Sequence, residues 1–365
     1  MEIAALNDRL LENYVPLRAL TADHLATLMR EHHIDTVLAG KTLFDIGDTD
    51  RCYVYLLHGT LEIETATGDA RTLSQDALEC RFPLAHRQPR ACKAVAKTDC
   101  SVIRFDAAML DSMLCFDQAA DSIKLEVTEQ PELGEEARWI LALLDSNLIH
   151  KVPPVNLRSI VDCFKARSVK GGEVIVRQGD AADACYYLKR GEATVSVQTD
   201  GVEQVVASLP PGRFFGEDAL VHDAPRNATV TMGCDGELLT LNKSDFIRLL
   251  QRPDCAWIGL GEARQRVETG ALWVDVRTQD EFEAGHVPGA FHLPLGLLRL
   301  KLRLLDPNRS CIVYCNSGRR SAIAEHLLRE AGFAQVAALK NGFEGFPDAE
   351  RAFFLSESGD TKLKE

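Results

Sequence analysis

This 365-residue sequence contains no stretch of 18 or more residues that is both apolar and uncharged. A membrane-spanning helix needs about that length, so we expect no membrane span and no membrane partner. The most apolar segment, 293–305, is interrupted by three basic residues, and its leucines recur at helical spacing. This spacing predicts a helix over 295–305 that packs on a core. The first residues also lack a basic region followed by an apolar one, so we expect no signal peptide.

Basic residues are scarcer than acidic ones, with 41 Lys and Arg against 54 Asp and Glu, giving a net charge of −13. An acidic chain repels the phosphate backbone, and we therefore expect no nucleic-acid partner.

The 11 cysteines are an odd number and include no Cys-x-x-Cys pair. This pattern is unlike a disulfide framework or a metal site, so we expect free thiols, a cytoplasmic location, no metal and no required cofactor.

The length predicts two or three domains. An internal repeat indicates that two of them share the same fold. The segment that begins at Gly40 aligns without gaps on the segment that begins at Gly172, an offset of 132 residues. In each copy, short apolar runs are separated by Gly and Asp turns, which predicts a small β jelly roll. We refer to these copies as the first and the second repeat.

From about Trp257 onward, predicted strands alternate with predicted helices, which indicates a parallel sheet covered by helices. The fold class we predict is therefore multidomain, α+β and α/β, with two jelly rolls and one such sheet. The predicted domains are 1–130, 131–255 and 256–355, and we call the last of these the third segment.

One loop of the second repeat has the composition of an anion pocket. It contains Gly216-Glu217 at the start of a predicted helical turn and Arg226 nine residues after the glutamate. A carboxylate can accept hydrogen bonds from a pair of hydroxyls, and an arginine fork can hold a phosphate. The alternative is a surface turn with a solvated Glu–Arg pair.

This block resembles the phosphate-binding cassette of cyclic nucleotide-binding domains. The resemblance implies that Glu217 contacts a ribose hydroxyl, that Arg226 contacts the cyclic phosphate of cAMP or cGMP, and that four further residues line the pocket: Gly216, Ala219, Asn227 and Ala228. Asp218 differs from the aliphatic residue usual in the family, and its charge should weaken binding unless it points away. In the first repeat, Cys80 and Arg81 replace the glycine and the glutamate, so we expect that repeat to keep the fold without the site.

The third segment contains a loop from Cys315 to Arg320, which we call the cysteine loop; it follows a predicted strand and enters a predicted helix. Backbone N–H groups at a helix start, together with an arginine, favour a thiolate. Gly318 permits the tight backbone, and Ser321 is a candidate cap of the helix. The alternative is a buried structural cysteine.

Together with VDVRTQDEFEAGHVPGAFHLPL at 274–295, the loop resembles the rhodanese domain. The resemblance implies that Cys315 carries a persulfide. It also implies that the backbone amides from Asn316 to Arg320, which include those of Ser317, Gly318 and Arg319, surround its outer sulfur. Arg320 is then expected to bind an anionic donor and to pair with Asp275. His286 is expected to hold a turn. The six-residue loop resembles that of sulfurtransferases more than the longer loop of the related phosphatases.

These observations predict a cytosolic, thiosulfate sulfurtransferase-like enzyme that takes a small-molecule sulfur donor and a thiol or cyanide-like acceptor. A cyclic nucleotide in the second repeat is the predicted regulator. The alternative is a non-catalytic nucleotide or redox sensor, or a scaffold, whereas a DNA-binding regulator is disfavoured by the acidic charge. Homodimer formation is left open.

Overall fold

The computed structural model describes residues 13–30, 32–85, 88–129, 134–146, 148–199, 201–347, 349–351 and 353–354. The start of the chain, for which no signal peptide is expected, lies outside these residues. The chain divides into two compact units, one made of Met1–Gln118 with Cys255–Glu365 and the other of Ala119–Asp254. Within the described residues, none of the helices has both the length and the apolar character required to cross a membrane.

The α-helices of the described residues are α1 (Ala22–Arg30), α2 (Ala107–Thr128), α3 (Glu135–Leu144), α4 (Leu157–Cys163), α5 (Glu217–Val221), α6 (Lys243–Leu249), α7 (Leu260–Glu268), α8 (Gln279–Ala284), α9 (Leu298–Lys301) and α10 (Arg319–Glu330). The strands of the two repeats are β1 (His33–Val37), β2 (Thr42–Phe44), β3 (Cys52–His58), β4 (Thr60–Thr65), β5 (Ala70–Ser74), β6 (Cys92–Ala96), β7 (Cys100–Asp106), β8 (Lys165–Val169), β9 (Val174–Val176), β10 (Ala184–Arg190), β11 (Ala193–Thr199), β12 (Val202–Leu209), β13 (Arg213–Phe215), β14 (Thr229–Met232) and β15 (Gly236–Asn242). Those of the third segment are β16 (Trp257–Ile258), β17 (Leu272–Asp275), β18 (Phe291–His292), β19 (Cys311–Tyr314) and β20 (Val336–Leu339).

The first repeat is built from two antiparallel sheets, ordered β1-β7-β3 and β2-β6-β4-β5. Alternate side chains of both sheets, including Val54, Leu61 and Val102, are buried in one apolar cluster. A core shared by two sheets is typical of a sandwich, as the sequence predicts. The opposite faces of β3 and β7 are also buried, with Tyr55 and Ile103 in a second apolar cluster.

The second repeat has the same architecture, with sheets ordered β13-β10-β15-β8 and β12-β11-β14-β9. Its core includes Tyr186, Leu188, Val230 and Leu238. The first repeat has a 3-10 turn, Leu78–Arg81, in the segment that corresponds to β13 and the start of α5. The two repeats therefore differ at the place where the sequence predicts that the first has lost its site.

The third segment is a parallel sheet ordered β16-β20-β19-β17-β18 and flanked by helices, which confirms the predicted fold class. The cysteine loop begins at the carboxyl end of β19, the edge at which loops of open parallel sheets form sites. The predicted helix over 295–305 is instead divided into Leu295–Leu297, α9 and Leu302–Leu304, in which the outer two pieces are 3-10 turns. Leu295, Leu298 and Leu305 are buried, so the prediction that these leucines face the core is confirmed.

The acidic composition of residues 117–136, together with Pro131 and Gly134, predicts either a linker or the start of a helix. The linker interpretation is wrong for 117–128, because α2 continues without a break to Thr128. Asp117 and Ser122 within this stretch are buried, so an acidic and polar composition here does not indicate exposure. Asp117 accepts a hydrogen bond from the backbone N–H of Thr21 at 2.8 Å, which satisfies its buried charge.

Candidate functional sites

The cysteine loop connects β19 directly to α10. Gly318 precedes the first residue of α10 with a φ of 99°, and its N–H donates to Cys315 Sγ at 3.1 Å. Cys315 is 1% exposed. The Ser321 hydroxyl lies 3.7 Å from the same sulfur and donates to the carbonyl of Gly318 at 2.8 Å. Ser321 therefore binds a carbonyl inside the loop, and the expectation that it caps a backbone N–H is wrong.

Glu281 holds the loop in position. Its carboxylate oxygens accept hydrogen bonds from Arg320 Nη1 and Nη2, at 2.7 and 2.8 Å, and from Asn316 Nδ2 at 2.7 Å. Thr278 and Glu281 also form a capping box at the start of α8. Burial alone would favour the neutral acid, but the attraction and hydrogen bonds of Arg320 prevail and lower the pKa of Glu281 to about 2. The predicted pairing of Arg320 with Asp275 is therefore wrong.

Asp275 pairs instead with Arg277. Arg277 Nε lies 3.0 Å from both carboxylate oxygens, and its Nη2 donates to Oδ2 at 2.7 Å. The Arg277 guanidinium also lies over the Phe343 ring, 4.4 Å from the centroid. His286 stacks on Phe282 and hydrogen bonds its carbonyl, at 2.9 Å from Nδ1, which agrees with a role in a turn. Arg277 and Arg320 are thus each paired with a buried carboxylate.

The 3-10 turn at Gly342–Gly345 forms hydrogen bonds with the backbone of the cysteine loop. The N–H of Phe343 donates to the carbonyl of Cys315 at 2.6 Å, and that of Glu344 to the carbonyl of Asn316 at 3.1 Å. Gly342 has a φ of 51°, and a Cβ there would lie 2.1 Å from the Cys315 carbonyl oxygen. Only glycine allows this close approach.

Residues of the first repeat contact the outer side of the cysteine loop. The Ser317 hydroxyl donates to Asp111 Oδ2 at 3.0 Å, and Arg319 Nη1 donates to the carbonyl of Ala108 at 3.2 Å. Nothing in the sequence around Asp111 marks this role, because the contact joins residues 206 positions apart. Glu281, by contrast, lies in the stretch 274–295 that resembles the rhodanese domain, and its Thr-x-x-Glu spacing is that of a capping box.

In the second repeat, Arg226 is almost wholly buried. Its Nη1 donates to the carbonyl of Gly216 at 2.7 Å, and its Nη2 to Asp183 Oδ1 and the carbonyl of Ala184, at 3.0 and 2.6 Å. Gly216 has a φ of 77°, and a Cβ at that position would be 2.7 Å from Arg226 Nη1. The structure therefore brings together the glycine and the arginine that the sequence places in one pocket.

Glu217 is the first residue of α5, and its Oε2 is buried without a hydrogen-bond partner among the described residues. Burial raises the pKa of this carboxyl, and the nearby charge of Asp218 acts in the same direction. Ala219 is buried, Ala228 is half-buried, and Asp218 and Asn227 are exposed. A buried carboxylate oxygen without a partner costs free energy, and a bound hydroxyl would satisfy it. These residues fit a ligand that presents hydroxyl groups.

The corresponding arginine of the first repeat, Arg90, already has internal partners. Its Nη2 donates to both Asp50 oxygens at 2.8 and 2.9 Å, and its Nη1 donates to the carbonyls of Leu84 and Ala85, both at 2.8 Å. The side chain is 0% exposed. An internal carboxylate thus neutralises the guanidinium, and Arg90 has a structural role in the core of this repeat.

Comparison with protein-family models agrees with this geometry. Residues 166–253 match the cyclic nucleotide-binding domain, and residues 260–349 match the rhodanese-like domain. The first match lies in the second repeat, and the second match lies in the third segment. The match to the rhodanese-like domain includes the cysteine loop and Glu281, and the match to the cyclic nucleotide-binding domain includes Glu217 and Arg226.

Similar proteins include regulatory subunits of cAMP-dependent protein kinase. That of Mucor circinelloides f. lusitanicus is 27% identical over 214 residues, which are 59% of this chain and 47% of the relative. That of Yarrowia lipolytica is 32% identical over 172 residues, 46% of this chain and 40% of the relative. The chain thus spans about half the length of these relatives or less. Among solved structures, the regulatory domain of Toxoplasma gondii PKA with cAMP is 18% identical, covers 67% of this chain and 90% of its own, and has a TM-score of 0.28.

Proposed function

We propose that this protein is a sulfurtransferase that uses Cys315 and is regulated by a cyclic nucleotide bound in the second repeat. The observation that carries the catalytic part is the Gly318 N–H, which donates to Cys315 Sγ at 3.1 Å within a six-residue loop. An N–H donor at this distance stabilises charge on the sulfur. We assign Ser317 and Arg319 to donor binding, and Asn316 and Arg320 to positioning the loop through Glu281.

In the proposed reaction, the Cys315 thiolate attacks the terminal sulfur of a donor such as thiosulfate. The sulfur–sulfur bond of the donor breaks, and sulfite leaves with the bonding electron pair. The resulting persulfide on Cys315 is then attacked at its terminal sulfur by a nucleophile such as cyanide or a thiolate. The persulfide bond breaks, and Cys315 returns to the thiolate. No metal or redox cofactor is needed to balance these two steps.

The catalytic proposal is tested with thiosulfate and cyanide as substrates. We expect the wild-type chain to form thiocyanate and a persulfide on Cys315 that mass spectrometry detects, and we expect Cys315→Ser to lose both. Cys311→Ser is the matched control, since Cys311 is a buried thiol on the preceding strand. Absence of both thiocyanate and persulfide in the wild-type chain would contradict the proposal.

The regulatory proposal rests on the buried Glu217 oxygen without a partner and on the adjacent Arg226. We propose that the ribose hydroxyl of cAMP or cGMP binds Glu217, that the cyclic phosphate binds Arg226, and that Gly216, Ala219, Asn227 and Ala228 complete the pocket. Calorimetric titration should show binding to the wild-type chain and none to Glu217→Ala. Sulfurtransferase rates with and without the bound nucleotide test whether it regulates the enzyme.

We also propose three domains, with the bounds 1–130, 131–255 and 256–355. We further propose that the protein is located in the cytoplasm. We also propose that the first repeat is a cyclic nucleotide-binding-like domain without a site, because Cys80 and Arg81 stand where the second repeat has Gly216 and Glu217. Homodimer formation is tested by light scattering of the full chain.

A second candidate function is a non-catalytic redox sensor or scaffold. The burial of Cys315, which is 1% exposed, favours the scaffold, because oxidation and sulfur transfer both need an accessible thiol. The two functions differ in the product found at Cys315. Thiosulfate leaves a persulfide in a sulfurtransferase, whereas peroxide leaves a reversible sulfenate or disulfide in a sensor without sulfur transfer.

A further inference from the structure

The beginning of helix α2 covers the cysteine loop, and both belong to the same compact unit. The Ser317 hydroxyl donates to Asp111 Oδ2 at 3.0 Å, and Arg319 Nε lies 3.8 Å from that oxygen. Arg319 also donates to the carbonyl of Ala108 at 3.2 Å. A carboxylate and a carbonyl from the first repeat thus engage two side chains of the loop.

Asp111 is held in this position by its own repeat. Its Oδ1 accepts a hydrogen bond from the Tyr53 hydroxyl at 3.2 Å, and its side chain is 13% exposed. Burial raises its pKa, while the charges of Arg320 and Arg319 and the hydrogen bond from Ser317 act in the opposite direction. A further contact of the first repeat with the third segment joins Arg18 Nε to Asp280 Oδ2 at 2.7 Å.

The polar groups that Asp111 engages are those that an anionic sulfur donor needs. Arg320 and Arg277 are buried and paired with Glu281 and Asp275. Arg319, by contrast, is half exposed. A hydroxyl and a guanidinium together bind carboxylate oxygens and the oxygens of a thiosulfonate group by the same hydrogen bonds.

We propose that the Asp111 carboxylate is an internal competitor of the anionic sulfur donor and occupies the subsite formed by Ser317 and Arg319. The first repeat must then move away from the cysteine loop before a donor or acceptor reaches Cys315. This inference rests on the proposed function for the nature of the reaction, but the contact of Asp111 with the loop that contains the buried Cys315 does not depend on it. Two anions cannot accept the same hydrogen bonds at once, so binding of the donor and docking of Asp111 exclude each other.

Alkylation of Cys315 by iodoacetamide in the native 365-residue chain tests whether the first repeat shields this thiol, without any assay of activity. The exposed Cys234 provides an internal reference for the reagent. In Asp111→Ala, we expect Cys315 to react at least tenfold faster than in the wild-type chain and Cys234 at an unchanged rate. Asp23→Ala, which removes an exposed carboxylate from α1, is the control and should leave both rates unchanged.

Equal Cys315 rates in the wild-type chain and Asp111→Ala would overturn the proposal. The buried Cys100 reports on the folding of the first repeat and should stay unreactive. If Asp111→Ala makes Cys100 reactive, Ser317→Ala is used instead, because it removes the same hydrogen bond from the other side. An unchanged Cys315 rate in a folded Ser317→Ala protein would likewise contradict the cover.

Kinetics with thiosulfate separate this inference from the proposed function. We expect Asp111→Ala to lower the KM for thiosulfate about tenfold, whereas Asp23→Ala should leave it unchanged. If Asp111→Ala speeds alkylation but neither protein transfers sulfur, the cover is supported and the sulfurtransferase function is wrong. If both proteins transfer sulfur with the same KM, the sulfurtransferase function is supported and the competition is wrong.

Discussion

Arg320 and Glu281 form a two-point ion pair, with Nη1 2.7 Å from Oε2 and Nη2 2.8 Å from Oε1. Both side chains are about 5% exposed or less. The pair joins the first turn of α10, at the end of the cysteine loop, to α8. The geometry of the loop therefore depends on a residue 39 positions away from Arg320.

Glu281→Gln should destabilise the third segment by about 3–5 kcal/mol, because it leaves the buried Arg320 charge without its counter-ion. Urea unfolding followed by the fluorescence of Trp257 and Trp273 measures the change. Glu350→Gln removes the partner of the exposed Arg264 and should cost no more than about 1 kcal/mol. Equal shifts of the unfolding midpoint in the two variants would contradict this account.

Acidification should weaken the same pair. The pKa of Glu281 is about 2 in the folded chain, against an ordinary value of 4.5, so the unfolded chain binds more protons between these values. Stability from this group is therefore present above pH 4.5 and is lost as the pH falls toward 2. Chemical unfolding at several pH values should show this slope in the wild-type chain. Glu281→Gln should show a smaller slope, and identical slopes would refute the assignment.

Gly342→Ala should disrupt the cysteine loop, because the new Cβ would lie 2.1 Å from the Cys315 carbonyl oxygen. Gly289→Ala is the matched control, since Gly289 also has a positive φ, of 74°, but nothing within 4 Å of a Cβ. The control should cost about 1–2 kcal/mol from backbone strain alone. We expect a lower unfolding midpoint for Gly342→Ala than for Gly289→Ala, and the reverse order would contradict the prediction.

Asp218→Asn should strengthen cyclic nucleotide binding, because Asp218 adds a negative charge beside Glu217. Removing a solvent-screened like charge near a phosphate is worth about 1 kcal/mol, or roughly a fivefold lower Kd. Calorimetry with cAMP and cGMP measures the change. Asp254→Asn, at another exposed carboxylate of the same compact unit, should leave the Kd unchanged. A weaker or unchanged affinity in Asp218→Asn would contradict the prediction.

The sequence predicted strands and short-range contacts correctly where the residues that indicate them lie within one short stretch of the chain. The strand predicted before the cysteine loop is present as Cys311–Tyr314, since four consecutive apolar residues before a Cys-Asn-Ser-Gly turn suit a buried strand. Gly216 and Arg226 meet because they are only ten positions apart in the chain. The helix predicted over 295–305 was wrong as one continuous element, because leucine spacing reports the buried face and not the hydrogen bonding of the backbone.

The sequence by itself determined the two repeats, the parallel sheet and the position of Cys315 at the end of a strand, since turn residues and apolar periodicity are local properties of the chain. Tertiary structure alone decided which carboxylate faces which arginine: Glu281 with Arg320, Asp275 with Arg277, and Asp50 with Arg90. It also decided that Asp111 lies on the cysteine loop. Charge pairing depends on distances of a few ångströms between segments that are far apart in the chain. Every Asp and Glu has the same charge, so the sequence does not distinguish one possible partner from another. Only the packing of the elements selects among them.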